Sequence, residues 1–116
     1  MEKKKVFIKK SEELSEKLVD SMGFCLATDR ILIDGLKVGY MYRENPDEEQ
    51  DSGWRFFAGD EDEDYLDNPN NIGVYEVNTI AHYDKDIIPF LNAPYNTSFG
   101  RNEENIFEEE PFESEI

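Results

Sequence analysis

SGWRFFAGDEDEDYLDNPNNIGVYEVNTIAHYD, residues 52–84, holds the chain's only Trp, its only His and its densest run of acids. Its first part decides the fold. Trp54, Phe56, Phe57 and Ala58 are apolar on both strand parities, with Arg55 the single exception. That pattern belongs to a central strand covered on both faces. A lone Arg in such a strand is costly without a carboxylate beside it, so Arg55 is expected to pair inside the fold and Trp54 to be core. After the acids 60–64, Asn68-Pro69-Asn70-Asn71 is turn chemistry, and 72–77 reads as another strand. Gly73 within it suggests a close backbone or aromatic approach.

Upstream, Leu14, Leu18 and Met22 recur at i, i+4 and i+8, with Ser11 available as N-cap, Glu12 and Glu13 in a first turn and Gly23 as terminator. This spacing predicts one amphipathic helix over 11–22. From Phe24 the period changes to that of strands: FCLAT, ILI and LKVGYMY. Asp34-Gly35, between Ile33 and Leu36, is a two-residue hairpin signal because both turn positions favour positive φ. Cys25 reads as a buried small hydrophobe, since a thiolate needs an electropositive setting and no Cys/His pair lies nearby in sequence. Downstream, Asp84 or Asp86 is placed to cap a short helical turn that Pro89 limits. Residues 98–101 and 106–107 read as a last strand pair, and 108–116 as a frayed acidic tail. The fold class is α+β: a small antiparallel or mixed sheet with an N-terminal amphipathic helix and one or two short helical turns. One domain spans 1–116, with its core at about 11–107.

At 116 residues the chain can bury about two thirds of its extended surface. Net charge is −16, and residues 44–86 carry fourteen acids against two basic residues. Such a surface repels a phosphate backbone and an anionic membrane, and favours a basic protein partner. One cysteine excludes an internal disulfide and a Cys-rich zinc site. Val6-Phe7-Ile8 is too short for a signal or membrane segment, so a cytoplasmic protein is expected.

The acids point to two kinds of site. Asp60, Asp62 and Asp64 imitate a calcium loop, but the sixth position is Tyr65 where Gly is required and the twelfth is Asn71 in place of Glu. A looser divalent-cation or small-ligand site, with an enzymatic role for it, is therefore the alternative reading. The preferred one is a protein-docking surface, with Asp60, Asp62, Asp64 and Asp67 supplying charge and Tyr65 an anchor. His82 has no motif to make it catalytic or a ligand, and no catalytic or metal-binding residue is assigned.

Four blocks, CLATDRI (25–31), VGYMYRE (38–44), the run 51–84 and IIPFLNAP (87–94), resemble a bacterial family catalogued both as a domain of unknown function and as immunity protein number thirty-three of the polymorphic-toxin systems. The resemblance implies a non-catalytic, cofactor-free protein that protects its producer by binding a cognate toxin. It gives no contact residues; those above come from the residues themselves.

Overall fold

In the computed structural model, which describes residues 5–113, the strand around Trp54 is β3, Asp51–Phe57. It lies inside a six-stranded sheet with β1 (Phe24–Thr28), β2 (Tyr40–Arg43), β4 (Ile72–Glu76), β5 (Thr97–Arg101) and β6 (Phe107–Glu110), ordered β4-β1-β3-β2-β5-β6. Only β1 and β3 run parallel, so the sheet is mixed. The helices are short: α1 (Asp29–Leu32), α2 (Glu63–Asp67) and α3 (Val77–Tyr83), with 3-10 turns at Ser11–Leu14, Pro69–Asn71 and Lys85–Phe90. Among the described residues no helix is long and apolar enough to cross a membrane.

Alternation along the strands sorts the sheet into two faces. Cys25, Ala27, Met41, Trp54, Phe56, Phe99 and Phe107 join Ile31 and Leu32 of α1, Val77, Ile80 and Ala81 of α3, and Ile87 and Leu91 in one core. Each Phe-sized side chain buried there contributes about 1.5–3 kcal/mol. Trp54 is fully buried, stacks on Phe56 with ring centroids 5.7 Å apart, and donates its indole N–H to the Leu91 carbonyl at 3.1 Å. The opposite face carries, in register, Val74, Leu26, Arg55, Tyr42, Ser98 and Glu110. Phe112 packs edge-on against Tyr42 on this side.

A bulge interrupts β3. Phe24 pairs with Asp51 and Leu26 with Arg55, so two steps on β1 match four on β3. Gly53, at φ 87°, makes the kink; a Cβ there would meet the Glu44 carbonyl oxygen at 2.2 Å. In a regular strand residues four apart are separated by about 13 Å. The contraction lets Asp51 take both Nη atoms of Arg55, at 2.9 and 2.7 Å, while Glu44 accepts from Nε at 2.6 Å. The guanidinium, 7% exposed, is thus neutralised where little water reaches it. Burial alone would raise the Asp51 pKa, but the hydrogen bonds from Arg55 and Gly53 outweigh it and hold the carboxyl below its usual range.

Three expectations are corrected. The helix over 11–22 does not form: beyond the 3-10 turn the chain is irregular up to Gly23. A twelve-residue helix is marginal by itself, and Asn78 offers the backbone a better arrangement. Its Oδ1 accepts from the N–H groups of Leu18 and Val19 at 2.7 and 3.1 Å, and its amide donates to the Glu16 carbonyl. Leu18, Val19 and Met22 still reach the core, without helical spacing.

Asp34-Gly35 does not turn a hairpin. The segment ILI expected as a strand is the helix α1 and its end, with Ile31 and Leu32 buried together. Gly35, at φ 78°, follows the helix as its left-handed stop, donating to Ile31, while Leu36 donates to Arg30. Arg30 and Asp34 then form an i,i+4 ion pair, which is helical geometry. Finally, Glu108, Glu109 and Glu110, expected as frayed tail, pair with β5 as part of β6; residues 114–116 of that tail lie outside the described residues.

Candidate functional site

The acid run leaves the end of β3 and climbs into α2, and its carboxylates divide by use. Asp60 pairs with Arg30, which draws its pKa below the usual range. Glu61 folds back: Oε2 accepts from the Ala58 N–H at 2.8 Å and from the Thr28 hydroxyl, and Oε1 accepts from the Gly59 N–H at 2.8 Å. It closes the end of the strand by satisfying donors that would otherwise be orphaned. Asp62 is the N-cap of α2, accepting from the Tyr65 N–H at 2.8 Å. Glu63, Asp64 and Asp67 remain, exposed and without an ion pair among the described residues. The self-repulsion of five adjacent acids is thus relieved by a cation, by two backbone N–H groups and a hydroxyl, and by a helix start.

Tyr65 is half-buried, and burial together with Asp29, Asp34 and Glu61 pushes its phenol up to about 12. It stays neutral at any physiological pH. Arg30, Asp34, Asp60, Glu61, Asp62 and Tyr65 line a shallow concavity. Of the five residues expected to meet a partner, the structure brings Asp60, Asp62 and Tyr65 to this concavity and leaves Asp64 and Asp67 outside its lining. Asp60 and Asp62 are already engaged within the chain. Sequence reading missed this division, although Asp62 followed three residues later by Tyr65, before Leu66, stands where a helix N-cap belongs.

Among the described residues no three His, Cys, Asp or Glu side chains approach one another closely enough to hold a metal ion. His82 Nε2 donates to the Glu16 carbonyl at 2.7 Å, fastening the irregular N-terminal segment beside Asn78. Cys25 is fully buried, and burial, only partly offset by Arg55, raises its thiol pKa further. A neutral, enclosed thiol is a poor nucleophile.

Two further features lay outside the sequence reading. Asp51 was not marked as the partner of Arg55; the signal was Gly53 between an acid and a base four residues apart. Val74 stands 62% exposed in the middle of β4, at the end of the sheet. Nothing in 72–77 separates an edge strand from an inner one except the charge-free run from Ile72 to Tyr75.

A family model described as Immunity protein Imm33 domain matches residues 25–110. The span takes in the acid run and the sheet apart from Phe24, and leaves out the segment that Asn78 and His82 hold. No curated protein and no solved structure matches the chain.

Proposed function

The chain belongs to the Imm33 immunity protein family, and from that membership we propose that it neutralises a cognate toxin by direct, non-catalytic binding through the acidic surface of α2 in the cytoplasm. The observation that carries the surface is the set of carboxylates Glu63, Asp64 and Asp67, exposed and without an ion pair among the described residues, raised on a helix whose neighbouring acids are held by internal bonds. Charges that already have partners gain little from a new one. These three are open to an incoming cation, and the net charge of −16 steers it. The toxin surface that fits is basic, such as the positive groove of a domain that acts on nucleic acid, where carboxylates stand in for phosphates.

The test is capture of the toxin from the producing cell at low salt, followed by its inhibition. Glu63→Gln, Asp64→Asn and Asp67→Asn together are expected to leave the melting temperature within a degree or two and to slow association about tenfold, with a flatter salt dependence. Association unchanged in rate and salt response would reject this surface.

A further inference from the structure

The two edges of the sheet differ in chemistry. β6 presents Glu108, Glu109 and Glu110, all exposed, and a row of like charges on an edge prevents another strand from adding to it. β4 has no such guard. From Ile72 to Tyr75 it carries no charge, Val74 is 62% exposed at its centre, and no strand pairs with its outer side among the described residues.

What flanks β4 selects what can cover it. Only the short turn Pro69–Asn71 separates α2 from β4, so the exposed Asp67 stands near one end of the strand, and the exposed Glu76 closes the other. A second copy of this chain would bring the same acids face to face at a net charge of −16 each. An extended cationic segment meets opposite charge at both ends and an apolar side chain between them.

We propose that β4 is a strand-addition edge for an extended, Lys- or Arg-bearing segment of the toxin, which continues the sheet beyond β4, sets an apolar side chain beside Val74 and directs its cations to Asp67 and Glu76. The proposal rests on the toxin-binding reading above and adds backbone pairing to it. The segment pairs along about 17 Å, the length of five strand residues. Main-chain bonds supply affinity, and the terminal acids select a basic sequence.

The probe is the seven-residue peptide Thr-Lys-Thr-Val-Thr-Lys-Thr, whose central Val and flanking Lys share one strand face as Val74 and Glu76 do, compared with the same peptide N-methylated on every backbone nitrogen, titrated into the full chain at low salt. The methylated peptide keeps the charge and loses the ability to pair. The expected result is binding of the parent at least tenfold tighter than the methylated peptide, with slowed amide exchange confined to β4 by NMR. Equal binding of the two, without protection in β4, overturns strand addition and leaves charge docking intact when the Glu63, Asp64 and Asp67 replacements weaken both. Binding of neither peptide also overturns strand addition, and the toxin-binding reading is then judged on salt-sensitive capture alone.

Discussion

Replacing Asp51 by Asn tests the ionic centre beneath the open face of the sheet. The substitution keeps the side-chain shape and the oxygen that accepts from Gly53, but it removes the charge facing Arg55 and turns an amide donor toward a guanidinium donor. With side-chain exposures of 7% for Arg55 and 9% for Asp51, solvent cannot compensate. Breaking a buried pair costs about 3–5 kcal/mol. Glu44 still neutralises Arg55 in part, so the lower end, about 3 kcal/mol, is expected, or roughly 10–15 °C in melting temperature for a domain of this size. Urea and thermal denaturation followed by circular dichroism measure it.

The pH dependence supplies a sharper check. Asp51 is held below the usual carboxylate range in the folded state. Its stabilisation is therefore complete above the unfolded-chain value of about 3.9 and is lost as pH falls through the lower folded value. The gap between wild type and Asp51→Asn should be widest near neutrality and should close in acid. A double variant with Arg55→Met removes the stranded cation and should recover part of the loss. A difference under about 1 kcal/mol at pH 7, or one that does not shrink in acid, would refute the reasoning.

Two other perturbations probe the backbone. Gly53→Ala places a methyl group 2.2 Å from the Glu44 carbonyl at a positive φ and should cost more than about 2 kcal/mol by urea titration, whereas Gly35→Ala, whose nearest neighbour is an Ile8 side-chain carbon at 3.5 Å, should cost about 1 kcal/mol; equal costs would mean that the bulge relaxes freely. Asn78→Ala strands the N–H groups of Leu18 and Val19 and should cost about 1–3 kcal/mol, with faster amide exchange at those two residues; unchanged exchange would show that Asn78 does not hold the segment.

The legible parts of the chain were those where burial dictated the residues. The continuous apolar run around Trp54 marked a strand inside the sheet because a short run apolar on both parities fits a strand paired on both sides and covered on both faces. The strand periods announced the sheet, but the helical part of the α+β class was drawn from 11–22, which forms no helix, while α1, α2 and α3 lie where no helix was expected. What failed were signals with two physical meanings. Asp34-Gly35 suits a hairpin turn, but a glycine at positive φ stops a helix equally well, and only the burial of both Ile31 and Leu32 separates the cases. The spacing of Leu14, Leu18 and Met22 suits a helix, yet it is overridden by Asn78, some sixty residues away, which no local window contains. At the candidate site the density of acids was plain, but their division was not. Which carboxylates are consumed internally depends on Arg30 and Thr28, brought near by the tertiary fold.

The position of β1 also fixes when the sheet can form. Its two neighbours, β3 and β4, both follow it in the chain, and the later one ends only at Glu76. A nascent chain growing at about 5–20 residues per second holds its first strand unpaired for several seconds while those partners are made. The local pair β2 and β3 can zip early, but closure around β1 waits for long-range contacts, which places folding in the millisecond-to-second range. The folded sheet thus lags synthesis, and the molecules able to act at any moment are those finished earlier.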